Sequence, residues 1–198
     1  MHSPIVYLIE NDSEFTESMQ GQLPSEDFPY EEYLFDFINE ADWLVANTLD
    51  EKNWHRNQWN DEFIDMYKQH PYFNLKQLED DRLELEITKE NIKHWDKDLL
   101  ALTKKMAETL EAYCDKNIMA PRIIFDNLDD YFNYNDMIGN LHGGPKYVVY
   151  NSYNDELELY GVFSMKDLIE DVRLRLSGDK QNSVAYQLCQ NIVGDYHY

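Results

Sequence analysis

Between Thr88 and Ile118 the chain places apolar residues at Ile92, Trp95, Leu99, Leu102, Met106, Leu110, Tyr113 and Ile118, with Cys114 continuing the series four after Leu110. Steps of three and four lay one apolar stripe along an α-helix. Such a helix is about 45 Å long at roughly 1.5 Å per residue. Thr88 is placed to cap its start, Glu90 suits the positive end of the helix dipole and Lys116 the negative end. Asn117 can leave the helix with positive φ, and Pro121 prevents its resumption. The segment holds six lysines and six acids, so it is neutral inside a chain of net charge -22. It reads as a scaffold, with the excess acid on either side as the functional surface.

That excess is unevenly placed. Residues 1–50 contain twelve acids and no lysine or arginine, while residues 51–100 contain twelve acids and eight bases. An all-acid first quarter repels nucleic acid, whose phosphates need Lys or Arg, and anionic membrane surfaces. It attracts a basic protein and speeds that encounter; solubility alone also accounts for such a charge run. Hydrophobic content of 43% with 14% aromatics argues against disorder. No apolar run reaches the roughly 18 residues of a transmembrane helix, and residues 1–10 lack the basic start of a signal peptide. Cys114 and Cys189 both lie on helix-like faces and read as buried free thiols in a reducing compartment.

In chain order, Pro4 to Ile9 is a β-rich run that reads as a buried strand. Tyr30 to Asn47 reads as a helix, Tyr33, Leu34, Phe37, Ile38, Ala41, Leu44 and Val45 lining one side. Thr48 and Glu51 form a capping box for a second helix, which His70-Pro71 ends. Asn74 to Ile87 has two readings. Leu83, Leu85 and Ile87 alternate with charged residues as in a strand, yet Leu78, Leu85, Ile92, Leu99 and Met106 repeat by seven, as in a coiled-coil arm over 74–118. Arg122 to Phe125 is a strand candidate, and Asp126 caps a short helix bearing Leu128, Tyr131 and Phe132. Lys146–Asn151 and Leu157–Phe163 read as a hairpin. Ser164 with Asp167 caps a helix from Met165 closed by Gly178, and Ser183 caps a last helix with Val184, Tyr186, Leu188, Cys189 and Ile192. The expected class is α-rich α+β, a single domain over 1–198 with a small sheet that includes the hairpin.

Catalytic signatures do not emerge. His2, His55, His70, His94, His142 and His197 include no pair at helical ligand spacing, and Cys-x-x-Cys and His-Glu-x-x-His are absent. His142-Gly143-Gly144-Pro145 has the look of an oxyanion loop but no Gly-x-Ser-x-Gly elbow accompanies it. Neither Glu79-Asp80-Asp81 nor Asp126, Asp129 and Asp130 follows calcium-loop spacing. No enzyme activity, metal or cofactor is expected.

A small, acidic chain rich in Tyr, Asn and Asp and lacking catalytic signatures resembles the phage-encoded inhibitors of host transcription, in particular the staphylococcal phage type that binds the housekeeping sigma factor of RNA polymerase. The resemblance is to whole-chain character and transfers no residue. It implies a bacterial cytoplasmic setting and, as partner, sigma region 4, a basic helix-turn-helix module that reads the -35 promoter element. The residues themselves supply the contact candidates Tyr30, Glu31, Glu32, Asp36, Glu40 and Asp42, an aromatic anchor with acids on one helix. Two other classes stand beside this one: an acidic DNA mimic that inhibits a restriction or CRISPR nuclease, and a virion assembly protein whose seven-residue spacing serves a homo-oligomer.

Overall fold

The computed structural model describes residues 2–10, 43–47, 68, 70–78, 83–115, 128–138, 145–153, 156–178, 181–188 and 193–197. The strands are β1 (His2–Glu10), β2 (Trp43–Asn47), β3 (Asn74–Gln77), β4 (Leu83–Thr88), β5 (Lys146–Tyr153), β6 (Glu156–Phe163), β7 (Ser183–Leu188) and β8 (Val193–His197). The helices among the described residues are α1 (Lys89–Asp115), α2 (Leu128–Met137) and α3 (Met165–Gly178). Strands hold about as many residues as helices, and all eight strands join one mixed sheet. The expected α-rich class is therefore wrong; the chain is mixed α/β, and its helices cover a sheet.

The run read as a buried strand is the centre of that sheet. Ile5 to Ile9 of β1 pair in parallel with Lys146 to Tyr150 of β5. The other edge of β1 is shared by two antiparallel strands, β8 along His2–Ile5 and β7 along Leu8–Glu10. Leu8 faces Leu188 while Ile5 faces Gly194, so three steps along β1 match six along the returning chain, which shifts register between β7 and β8. Beyond β7 lie β4 and β3, beyond β8 lies β2, and beyond β5 lies β6. Ile5, Val6, Tyr7, Leu8 and Ile9 are all buried, as expected for a continuous apolar run covered on both faces.

Alternation sorts the sheet into two faces. Val6 and Leu8, Tyr147 and Val149, Leu83, Leu85 and Ile87, and Val184, Tyr186 and Leu188 share one cluster with Trp95 of α1, Met137 of α2 and Leu168, Ile169, Val172 and Leu176 of α3. The two readings of Asn74–Ile87 resolve to the strand: β3 and β4 form an antiparallel pair, Leu75 opposite Leu85, and Glu84 and Glu86 lie on the other face with Lys76, which reaches Glu86 at 2.7 Å.

The long helix is present and its start is built as expected. The Asn91 N–H donates to Thr88 Oγ1 at 3.1 Å and the Thr88 N–H donates to Asn91 Oδ1 at 2.9 Å, a reciprocal cap. Only its first turns are core, however: Ile92 and Trp95 are buried, Leu99 and Leu102 half-buried, and Leu110 of the proposed stripe is exposed while Thr109 is buried. α1 is a cover for the sheet, not the element around which the chain is organised.

Two further expectations fail for one reason. Ser183–Leu188 is a strand, not a helix, because Val184, Tyr186 and Leu188 alternate inward and ladders with β4 and β1 satisfy both edges. Trp43–Asn47, the last part of the helix expected over Tyr30–Asn47, is a strand paired with β8. In each, tertiary pairing overrides an ambiguous local pattern. The α3 cap stands as read, the Asp167 N–H donating to Ser164 Oγ at 3.2 Å; the hairpin is present with longer strands than expected, pairing from Tyr147 opposite Phe163 to Tyr153 opposite Glu156, so residues read as its connection are strand. The second expected helix, the Arg122–Phe125 strand and the side chains of Cys114 and Cys189 lie outside the described residues, except that Lys68 is helical.

Trp95→Ala should lower stability by about 3–5 kcal/mol as a large-to-small change in the core. Leu100→Ala, on the same helix but 55% exposed, should stay within about 0.5 kcal/mol. Denaturant melts of the two variants check the orientation of α1.

Candidate functional site

The contact candidates Tyr30, Glu31, Glu32, Asp36, Glu40 and Asp42 lie outside the described residues. The structure instead fixes the two ends of the stretch that holds them: Glu10 closes β1 and Trp43 opens β2. At the first of these ends sits the densest polar cluster among the described side chains.

It is assembled from four elements. Glu10 is the last residue of β1, opposite Tyr186 of β7. Asp171 and Arg175 stand one turn apart on α3 and pair at 2.9 Å. Arg175 also forms an ion pair with Glu10. Tyr160 comes from β6, where Leu159 faces Tyr150 and Gly161 faces Val149, so Tyr160 is the extra residue of a β-bulge. The bulge sets its ring 4.6 Å beneath the Arg175 guanidinium and lets its hydroxyl donate to Asp171 Oδ1 at 2.6 Å. Next to the bulge a Cβ on Gly161 would come within 2.7 Å of the Phe163 ring, so only glycine lets the strand kink there without moving that ring.

Burial opposes the charge on Arg175, but its hydrogen bond to Tyr160 and the fields of Tyr186, Glu10 and Asp171 outweigh burial and raise its pKa. Burial likewise pushes the Tyr186 hydroxyl above its ordinary value, further than nearby Arg175 can lower it. Two carboxylates outnumber the one guanidinium, and the shifts of Arg175 and Tyr186 both lead away from neutrality. The cluster therefore suits holding the end of β1 against α3 and β6, not proton transfer or anion capture. Sequence reading missed it because Glu10, Tyr160 and Arg175 are far apart in the chain; only the Asp171–Arg175 spacing is local.

A second cluster joins the start of β3 to α1 and α2. His70 stacks on Phe73 at 3.9 Å between ring centroids and meets Tyr72 edge-on. Tyr72 packs edge-on against Trp95, and its hydroxyl donates to Asp98 Oδ2 at 3.2 Å. Burial pushes the His70 imidazole down to about 4. His94 is exposed and lies 3.6 Å from Asp98, one turn on. The Cys114 side chain, Cys189, Glu79, Asp80, Asp81 and Asp126 lie outside the described residues, and among the described residues no group of three or more His, Cys, Asp or Glu is arranged to hold a metal.

The described residues form a mixed α/β fold in which these two clusters tie strands to helices. No protein-family model matches the chain, and no curated protein and no solved structure matches it either. Among the described residues no helix is long and apolar enough to cross a membrane.

Replacing Arg175 by Gln should cost about 2–3 kcal/mol, the range for hydrogen bonds to charged groups, and Tyr160→Phe about 1 kcal/mol; urea melts of both variants measure this. His70 gives a pH dependence of known sign. Unfolded, it takes a proton below about 6.5; folded, it resists until about 4. Stability is thus full above pH 6.5 and is lost as pH falls towards 4, by at most about 3 kcal/mol. In His70→Gln, melts across that range should show a smaller loss.

Proposed function

We propose that this protein is a phage-encoded inhibitor of host transcription that works in the bacterial cytoplasm by binding region 4 of the primary sigma factor and altering promoter engagement. The observation that carries the reading is the first quarter of the chain, twelve acids without one lysine or arginine. A basic helix-turn-helix module, evolved to meet phosphates, is the kind of protein such a surface attracts. Within that quarter, Glu10 ends β1 and Trp43 opens β2, two strands of one sheet. The contacts expected to matter most are aromatic, with Tyr30 as anchor and Glu31, Glu32, Asp36, Glu40 and Asp42 around it, since hot spots favour Tyr over rim acids.

Purified region 4 and holoenzyme should each capture the protein at low salt. Raising salt should weaken binding chiefly through the association rate, as surface plasmon resonance reads it. Tyr30→Ala should accelerate dissociation more than any single acid-to-amide change. Lack of binding to both targets at low salt would remove the sigma reading and leave the DNA-mimic one, which capture of a host nuclease would support.

A further inference from the structure

One side of α1 faces outward along most of its length. The buried Ile92, Trp95 and Thr109 and the half-buried Leu99 and Leu102 share the inner side. At 3.6 residues per turn, Lys93, Lys97, Leu100, Lys104, Ala107 and Glu111 fall on the outer side with Glu108 beside them, and all seven are exposed, Leu100 by 55%. Lys93 reaches back to Glu90 at 3.1 Å. Lys97, Lys104, Glu108 and Glu111 form no ion pair among the described residues.

This face is sorted by charge along the helix, with the lysines first and the glutamates after them. Its six positions are also evenly stepped, by four, three, four, three and four. That spacing averages 3.5 residues, the period that keeps a seam against a neighbouring helix. It reads the same in both directions. An antiparallel copy of the helix, related by a two-fold axis at residue 102, therefore sets position 93 opposite 111, 97 opposite 107 and 100 opposite 104. Lys93 meets Glu111, Lys97 meets Ala107 with Glu108 next to it, and Leu100 lies against the aliphatic stem of Lys104. Each contact occurs twice, as in an isologous interface. A parallel copy would set lysine on lysine and glutamate on glutamate.

We propose that the outer face of α1 is a self-association surface, on which the α1 of a second copy lies antiparallel. The inference does not rest on the sigma reading. Charge complementarity selects this occupant. An acidic partner would suit Lys93 and Lys97 but oppose Glu108 and Glu111, and a basic partner would do the reverse; the same helix turned end for end suits both. Two copies of a chain of net charge -22 repel each other, so contact is least opposed where the surface is neutral. Thr88–Ile118, with six lysines and six acids, is such a stretch. One pair of helices buries an area at the low end for specific interfaces, below about 1,200 Å². The dimer is accordingly weak and forms at high protein concentration.

Sedimentation equilibrium of the full chain over a concentration series tests this, with circular dichroism to establish that each variant is folded. The unaltered protein should pass from monomer to dimer as concentration rises. Lys93→Glu with Lys97→Glu, and separately Glu108→Lys with Glu111→Lys, should each weaken dimerisation at least about tenfold. An equimolar mixture of the two double variants should dimerise again, since each then offers the charge the other lacks. A chain carrying all four changes should dimerise as the unaltered protein does, and it decides the matter if a double variant fails to fold. An unaltered protein that stays monomeric throughout would overturn the proposal. So would double variants that dimerise unimpaired, or a mixture and a fourfold variant that both stay monomeric.

Discussion

Main-chain pairing along β1 is the constraint on which the remaining elements depend. One edge is taken by β5 and the other is divided between β7 and β8. Its five central side chains are buried on both faces. A slip of one residue would exchange Val6 and Leu8, which meet the helices, with Tyr7, which does not, and the same slip would be imposed on β5. Burial on both sides thus fixes the register of the strands that flank β1, and through them the places of β4, β6 and the helices that follow.

Against this frame α1 contributes unevenly. Its first turns bury Ile92 and Trp95 against β4 and α3, and apolar burial on this scale is worth about 1.5–3 kcal/mol per large side chain. Further along, Leu99 and Leu102 pack only half-buried against the core, Lys105 pairs with Asp130 of α2, and the Thr103 and Thr109 hydroxyls bond carbonyls of the helix itself. Exposed or half-exposed ion pairs add little, commonly below about 1 kcal/mol. The helix is long because its cap and spacing permit it, while the energy that holds it comes from one end.

The sequence was informative where a signal was both local and single. Pro4–Ile9, the Lys146–Phe163 hairpin and the Ser164–Asp167 cap could be read because run length, alternation and capping chemistry each admit one structure. Ser183–Leu188 and Trp43–Asn47 were misread because both apolar runs fit a helix or a strand, and the deciding ladders come from residues 95 or more positions away. The seven-residue spacing that suggested an arm runs through a hairpin and then a helix, so it never described one element. The polar cluster was hidden for a related reason: Tyr160 reaches Asp171 only because a bulge turns it, and a bulge leaves no mark in hydropathy. The acidic first quarter was plain from charge alone, but charge states attraction, not geometry.

The pairing of His2 with His197 has a consequence in time. Strands β7 and β8, which complete one edge of β1, follow every other described element, so a growing chain carries an apolar strand with that edge open until they emerge. Contacts of such sequence separation slow folding, because closing so large a loop precedes any reward from the contacts it permits. Until β7 and β8 pair with it, the open edge of β1 is a template for pairing with other chains.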